Sequence, residues 1–330
     1  MNKQKLIETL SVQTCTYNQW RMFSYIIRNL KRIGCEYYTC EGNIYVTKGS
    51  SDIYPCIVAH MDTVHEIEKD LVVVEISGNL TGFNPITMSQ IGIGGDDKVG
   101  IYIALEVLEK TDNIKAVFFR DEEIGCEGSG EADIPFFHDC SFVLQCDRKG
   151  NKDFISNIGS VDLSSDSFKQ RIKEIMKNYN YKFAEGMMTD VLVLKENGLP
   201  CSCANISCGY YNPHNYDEYV NIHDVSKCLS FVLDIINDMG KEFFPHLYKK
   251  RYSKNYHTNQ SNQLWEEELS SHYTYKKGGG EERFFHDKYE RLRPSYNDDF
   301  YCEGCSEFAN VTYSRDFNMN LCKKCINYFE

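Results

Sequence analysis

Two histidines and a scattered set of carboxylates carry the chemistry this sequence can do. His60 and Asp62 end the apolar run "YPCIVAHMD", and Asp96 and Asp97 fall in "GGDDKVG". Asp121, Glu122 and Glu123 follow "IKAVFFR", Asp147 ends "SFVLQCD", and His214 lies in "CGYYNPHNYDEY". Singly, each is ordinary: a histidine at a strand end is usually a hydrogen-bonded structural group, and paired glutamates are usually a solvated surface. Gathered at one sheet edge, the carboxylates would repel one another, and burying them unpaired would cost several kcal/mol each. A bound divalent cation removes that cost, and the mixture of nitrogen and oxygen ligands suits zinc. With one carboxylate shared, two zinc ions about 3.5–4 Å apart become the natural arrangement.

The turn "GGDDKVG" precedes an apolar helical run, a position where glycine-rich turns often cradle phosphate. It lacks the lysine-serine/threonine ending of a phosphate loop and presents carboxylates where phosphate would sit. Its glycines let the chain turn tightly at the helix start. Asp97 reads as a helix-start carboxylate stabilised by the macrodipole.

A second constellation lies near the C-terminus. Cys302 and Cys305, then Cys322 and Cys325, form two Cys-x2-Cys pairs separated by 16 residues, the spacing of a four-cysteine structural zinc ribbon. So small a module needs its metal to fold. Its charges are mixed, with no basic stripe interleaved with aromatics. Two roles stand open for it: docking to a partner protein, or closing over the catalytic domain as a substitute lid. Cys201, Cys203 and Cys208 in "CSCANISC" read instead as buried thiols.

The elements that must position these residues alternate. Residues 3–34 show helical spacing, with Thr16 as an N-cap and Gly34 as a stop. "NIYVTK", "YPCIVAH" and "LVVVEI" read as strands, followed by a helix from about Asp97 to Lys110. "NIKAVFFR" and "SFVLQCD" are continuous apolar runs, the mark of strands buried on both faces. "SSDSFKQRIKEIMKNY", "MTDVLVLKENG" and "VSKCLSFVLDIINDMG" read as helices, and "CSCANIS" as a strand. The expected fold is α/β: a three-layer α/β/α sandwich with a mixed, mainly parallel central sheet. Ligands in such sheets collect beyond the carboxyl ends of the strands. Residues 1–250 form the expected catalytic domain, 251–297 a polar linker, and 298–330 the ribbon.

Composition sets outer bounds. The chain has 330 residues and a net charge of 36 − 48 = −12, which opposes nucleic-acid binding and favours small molecules or peptides. The 15 cysteines do not form the short, even-numbered framework of a secreted disulfide scaffold, and most read as free thiols in a reducing cytosol. The N-terminus lacks the apolar core of a signal peptide, and no apolar run approaches the roughly 20 residues of a membrane span. The expected location is cytoplasmic.

"HMDTV", "GGDDKVG", "DEEIGCEGS", "CDRKG" and "NPHNYDEYV" occur in the order found in zinc-dependent exopeptidases, and the sequence resembles that superfamily over roughly residues 55–225. The superfamily includes peptidase T, the carboxypeptidase G type and the co-catalytic zinc aminopeptidases. The likeness is strongest to peptidase T, at "GDDKVG", at "TDVLVLKENGLPC" and around His214. The resemblance implies that Asp96 bridges two zinc ions, with His60 and Asp147 completing one site and Glu123 and His214 the other. Cobalt or manganese can occupy similar sites. It implies that Asp62 orients the His60 imidazole and that Glu122 is the general base. Glu122 would take a proton from a bridging water and deliver it to the leaving amine. Tyr210 or Tyr211 would either donate to the oxyanion or simply pack on the site wall.

Peptidase T and the carboxypeptidase G type carry a lid domain inserted after the residue matching Asp147. Here only 66 residues separate Asp147 from His214, too few for a lid beside the elements they must supply. That departure favours the lidless aminopeptidases, where acidic groups hold the substrate amine. Carboxypeptidase or N-acyl amino acid amidohydrolase chemistry uses the same core, and a catalytically silent binding module is the alternative outside enzymes.

Overall fold

The computed structural model describes residues 1–248 and, beyond them, the backbone of residues 311–314 and 319–322. The expected linker lies outside the described residues, as do Cys302, Cys305, Cys325 and the side chain of Cys322.

The chain opens with α1 (Lys3–Ser11) and α2 (Trp20–Ile33). The expectation of Thr16 as an N-cap is corrected. Helix α2 starts only at Trp20, after Gln19 and without a side-chain cap, and the Thr16 hydroxyl lies 3.4 Å from Asp62 Oδ2 instead. Gly34 does end α2, in the left-handed conformation, with its N–H on the Leu30 carbonyl.

Strands β1 (Glu36–Cys40), β2 (Asn43–Lys48), β3 (Tyr54–His60), β4 (Val72–Ile76), β5 (Asn79–Asn84) and β6 (Ser89–Ile91) lead to α3 (Gly95–Lys110). Next come β7 (Ile114–Phe119), the single turn α4 (Glu127–Gly130), β8 (Cys140–Arg148), β9 (Asp153–Ile158) and β10 (Val161–Asp162). Helix α5 (Asp166–Tyr179), β11 (Lys182–Glu185), α6 (Asp190–Glu196), β12 (Ser202–Ser207), β13 (Tyr210–Tyr211), β14 (Tyr219–Asn221) and α7 (Ile222–Met239) complete this part. Farther on, β15 (Val311–Ser314) and β16 (Met319–Cys322) pair antiparallel.

The central sheet has nine strands in the order β1-β2-β7-β3-β8-β12-β9-β10, with β11 also paired to β9. Its middle, β7-β3-β8-β12, is parallel. "Mainly parallel" is nevertheless a correction. The β1–β2, β2–β7, β9–β12 and β9–β10 pairings are antiparallel, as many as the parallel ones. Short hairpins, which need no crossover helix, make the β1–β2 and β9–β10 pairs, while β2–β7 and β9–β12 pair strands distant in sequence. A second sheet, β13-β14-β5-β4 with β6 on β5, was not anticipated, and "LVVVEI" belongs there.

Each central strand reads as continuously apolar because both its faces are covered. In β3, Ile57 and Ala59 enter one core with residues of α1, α2, α3, α5 and α7. The alternate residues Cys56 and Val58 enter a second core with Val191 and Leu194 of α6 and with Phe136 and Phe137. Five helices thus cover one face and a thinner layer the other. The eleven described cysteines are free thiols, and Cys201, Cys203 and Cys208 are buried. Among the described residues, no helix is long and apolar enough to cross a membrane.

Candidate metal centre

The four parallel strands end on the same side of the sheet, and their carboxyl ends bring the chemistry together. His60 is the last residue of β3, Glu122 and Glu123 follow β7, Asp147 lies one residue before the end of β8, and His214 follows β12 and β13. Asp96 reaches the same place from the first turn of α3.

Asp96 stands between the two histidines. Its Oδ1 lies 3.3 Å from His60 Nε2, and its Oδ2 lies 3.4 Å from His214 Nε2. His60 Nε2 is also 3.6 Å from Asp147 Oδ1 and 4.0 Å from Glu122 Oε2. His214 Nε2 is 3.2 Å from Glu123 Oε1. Three overlapping sets of candidate ligands result: His60, Asp96 and Asp147; Asp96, Glu123 and His214; and His60, Glu122 and Glu123. The first is buried; the second is open, because the His214 side chain is 50% exposed.

The residues fit metal. Tetrahedral zinc with ligands about 2.0–2.1 Å away holds neighbouring ligand atoms about 3.3 Å apart, and the separations above cluster there. Glu123 Oε1 is buried with no hydrogen-bond partner, although an imidazole nitrogen lies 3.2 Å away. Two such atoms converging without a hydrogen bond are spaced as two ligands of one ion would be.

Electrostatics point the same way. Burial pushes the Glu122 carboxyl up to about 10 and that of Glu123 up to about 7. Burial and then the neighbouring Asp96 push Asp147 up to about 8. Burial alone would raise Asp96 too, but hydrogen bonds with His214 and His60 hold it well below the usual carboxylate range. The hydrogen bond with Asp96 lifts His214 to about 9. His60 is raised despite its burial, by Asp147, Asp62 and Asp96. So many carboxyls held protonated against their ordinary range form a site that lowers its energy by taking up positive charge.

The supporting contacts are specific. His60 Nδ1 lies 3.2 Å from Asp62 Oδ1, leaving Nε2 for the cluster. Asp62 also accepts the Glu122 N–H at 3.0 Å and the Glu123 N–H at 3.1 Å. Asp97 does more than the helix-start role expected of it. Its Oδ1 accepts the Gly100 N–H at 3.0 Å and its Oδ2 the His60 N–H at 3.2 Å. A Cβ on Gly100 would lie 2.2 Å from Asp97 Oδ1, so the last glycine of "GGDDKVG" is needed for that approach. Asp121 turns away, to Gln19, the Tyr17 N–H and Arg120.

Of the two readings left open for the tyrosines, packing on the site wall fits better, since carboxylates engage both hydroxyls. The Tyr210 hydroxyl donates to Asp147 Oδ1 at 3.2 Å, and the Tyr211 hydroxyl donates to Asp224 Oδ2 at 2.7 Å. Several site residues escaped the sequence reading. Gln145 donates to Asp147 Oδ2 at 3.1 Å, Asn205 holds the Asp147 backbone from both sides, and the Thr189 hydroxyl lies 3.1 Å from Asp147 Oδ2. Buried Glu218 grips the Asp96 turn. Thr189 and Glu218 sit inside quoted motifs, but nothing in their types alone marked them.

Solved structures with the same fold include the aminopeptidase PepT from Bacillus cereus, at 14% identity and a TM-score of 0.60 over 72% of this chain and 99% of that one. A tripeptidase from Staphylococcus aureus follows at 14% identity and 0.58, over 72% and 98% of the two chains. An aminopeptidase from the archaeon Desulfurococcus kamchatkensis gives 14% identity and 0.54, over 72% and 96%. No curated protein sequence matches. The profile of peptidase family M28 matches residues 43–263, which take in every ligand candidate above, and the chain belongs to that family.

Proposed function

We propose that the protein is a di-zinc aminopeptidase acting on small peptides. The observation that carries this reading is Asp96 standing between His60 and His214 with one carboxylate oxygen toward each. When bound, two zinc ions would supply an acidified water and a polarised carbonyl.

Glu122 is the residue for moving the proton. It ends 4.0 Å from the His60 nitrogen, beside the ligands, while Asp62 fixes its backbone. The positive charge of bound metal would hold Glu122 ionised, and a carboxylate beside the ligands can accept a proton from water and return it to the leaving amine. Asp62 acts by holding His60.

The charges around the centre favour binding the substrate by its amine. Arg120 is engaged by Asp121, Glu127 and Glu131, and Arg148 by Asp153, so neither flanking arginine offers itself to a substrate carboxylate. Residues 148–213 are used by β9 to β13, α5 and α6, which supports a lidless enzyme. The C-terminal cysteines would hold a third, structural zinc and serve a protein partner or cover the site.

Metal analysis with turnover of a peptide panel tests the reading. The expected result is two active-site zinc ions, a third in the ribbon, and release of N-terminal residues from small peptides. Release of C-terminal residues alone, or no hydrolysis by zinc-loaded protein, would overturn it.

A further inference from the structure

We infer that Glu218, backed by His65, is a positioning residue that sets the affinity of the outer, His214-bearing half of the metal centre; this rests on the di-zinc reading above. Glu218 lies four residues after His214 in the loop from β13 to β14, and it is fully buried. A buried carboxylate is costly unless it is met by donors. Glu218 meets three. Its Oε2 accepts the Gly94 N–H at 2.7 Å and lies 2.8 Å from His65 Nε2, and its Oε1 accepts the Asp96 N–H at 3.1 Å.

Those contacts join three loops. His65 belongs to the segment after β3, Gly94 and Asp96 to the turn into α3, and Glu218 to the loop that carries His214. The carboxylate therefore ties the shared ligand Asp96 to the loop of His214, which at 50% exposed has little packing to hold it.

The glycines of the turn are spaced for this clamp. A Cβ on Gly92 would lie 2.0 Å from His65 Cε1. One on Gly95 would lie 2.8 Å from Tyr210 Cβ and 3.2 Å from Glu218 Oε1. His65 fills the space at Gly92, and Tyr210, Val220 and Glu218 together fill it at Gly95.

The inner set depends on the clamp only through the shared Asp96, whereas the outer set depends on it through both Asp96 and the His214 loop. His60 is held by Asp62 and by its own N–H on Asp97, and Asp147 by Gln145, Asn205 and Tyr210. Loss of Glu218 is therefore asymmetric. Glutamine at this position has one acceptor oxygen for three donors, and its amide would face an N–H.

The test is titration of metal-free protein with cobalt(II), followed by calorimetry and by visible absorption. For Glu218→Gln the second ion should bind about 10–100-fold more weakly, and the first within about threefold of wild type, because outer partners of ligands typically carry that much affinity. His65→Leu should shift the second ion in the same direction by less, and His65→Gln, which keeps a donor, should stay near wild type. Should Glu218→Gln not fold, His65→Leu against His65→Gln decides. Unchanged affinities, or an equal weakening of both ions with a lower Tm, would overturn the inference and leave the di-zinc reading standing. A wild-type protein that binds fewer than two ions at this centre would remove both.

Discussion

Asp62 and Glu122 are joined through the backbone: Asp62 Oδ1 accepts the Glu122 N–H at 3.0 Å, and the same oxygen faces His60 Nδ1 at 3.2 Å. One buried carboxylate thus fixes both a candidate ligand and the residue proposed to carry the proton. Asp62→Ala should weaken metal binding about 10–100-fold and also lower kcat at saturating metal, because Glu122 loses its anchor. Asp62→Asn keeps one acceptor and should fall between. Recovery of full kcat by Asp62→Ala at saturating zinc would show that the Glu122 contact does not matter.

Adjacent residues should give opposite signatures. Glu122→Gln removes the proton carrier and should cut kcat by about 10²–10⁴-fold while leaving metal content nearly unchanged. Glu123→Gln replaces a carboxylate placed as a ligand with a neutral amide, and the expected loss is one zinc. His60→Ala and His214→Ala should likewise lose active-site metal. Zinc analysis on the purified variants separates these cases, and hydrolysis surviving Glu122→Gln would remove the assigned role.

Tyr210 supplies a third contrast. Its hydroxyl is spent on Asp147 Oδ1 at 3.2 Å and is almost wholly buried. Loss of an oxyanion donor typically costs about 10²–10³-fold in kcat. Tyr210→Phe should cost less than about tenfold in kcat, with weaker binding of the ion at the inner site, as for other partners that orient a ligand. A drop of a hundredfold or more with metal affinity intact would restore the oxyanion role.

What the sequence made legible follows from which signals are local. β3, β7 and β8 were readable because strands covered on both faces must be apolar at every position. The candidate ligands His60, Glu123 and Asp147 were readable because each sits at or just past the end of such a strand, whereas Asp96, in the first turn of α3, and His214, in the loop after β13, rested on the resemblance of their motifs. The antiparallel flanks were not readable, since direction of pairing leaves no mark in a strand as short as β10. Thr16 was misplaced because a good capping residue also serves as a hydrogen-bond partner for a distant carboxylate, here Asp62. Glu218 and Asn205 were invisible for the same reason: their roles are set by partners 122 and 58 residues away.

Stability should fall at alkaline pH through the buried thiols. Cys140, Cys201 and Cys203 sit in the core beneath α6, and burial pushes each thiol above its ordinary value of 9.0, Cys203 up to about 11. Unfolding exposes them, so above pH 9 the unfolded chain releases protons that the folded chain retains. The folded state then binds more protons, and unfolding free energy falls as pH rises. The stability is complete below about pH 9 and is lost from there up through each folded value, at about 1.4 kcal/mol per pH unit for each fully titrating thiol. Urea midpoints measured between pH 8 and pH 11 should therefore decline. The decline should be shallower in Cys203→Ala, measured against that variant's own midpoint at pH 8. An identical slope in wild type and Cys203→Ala would show that this thiol does not titrate on unfolding.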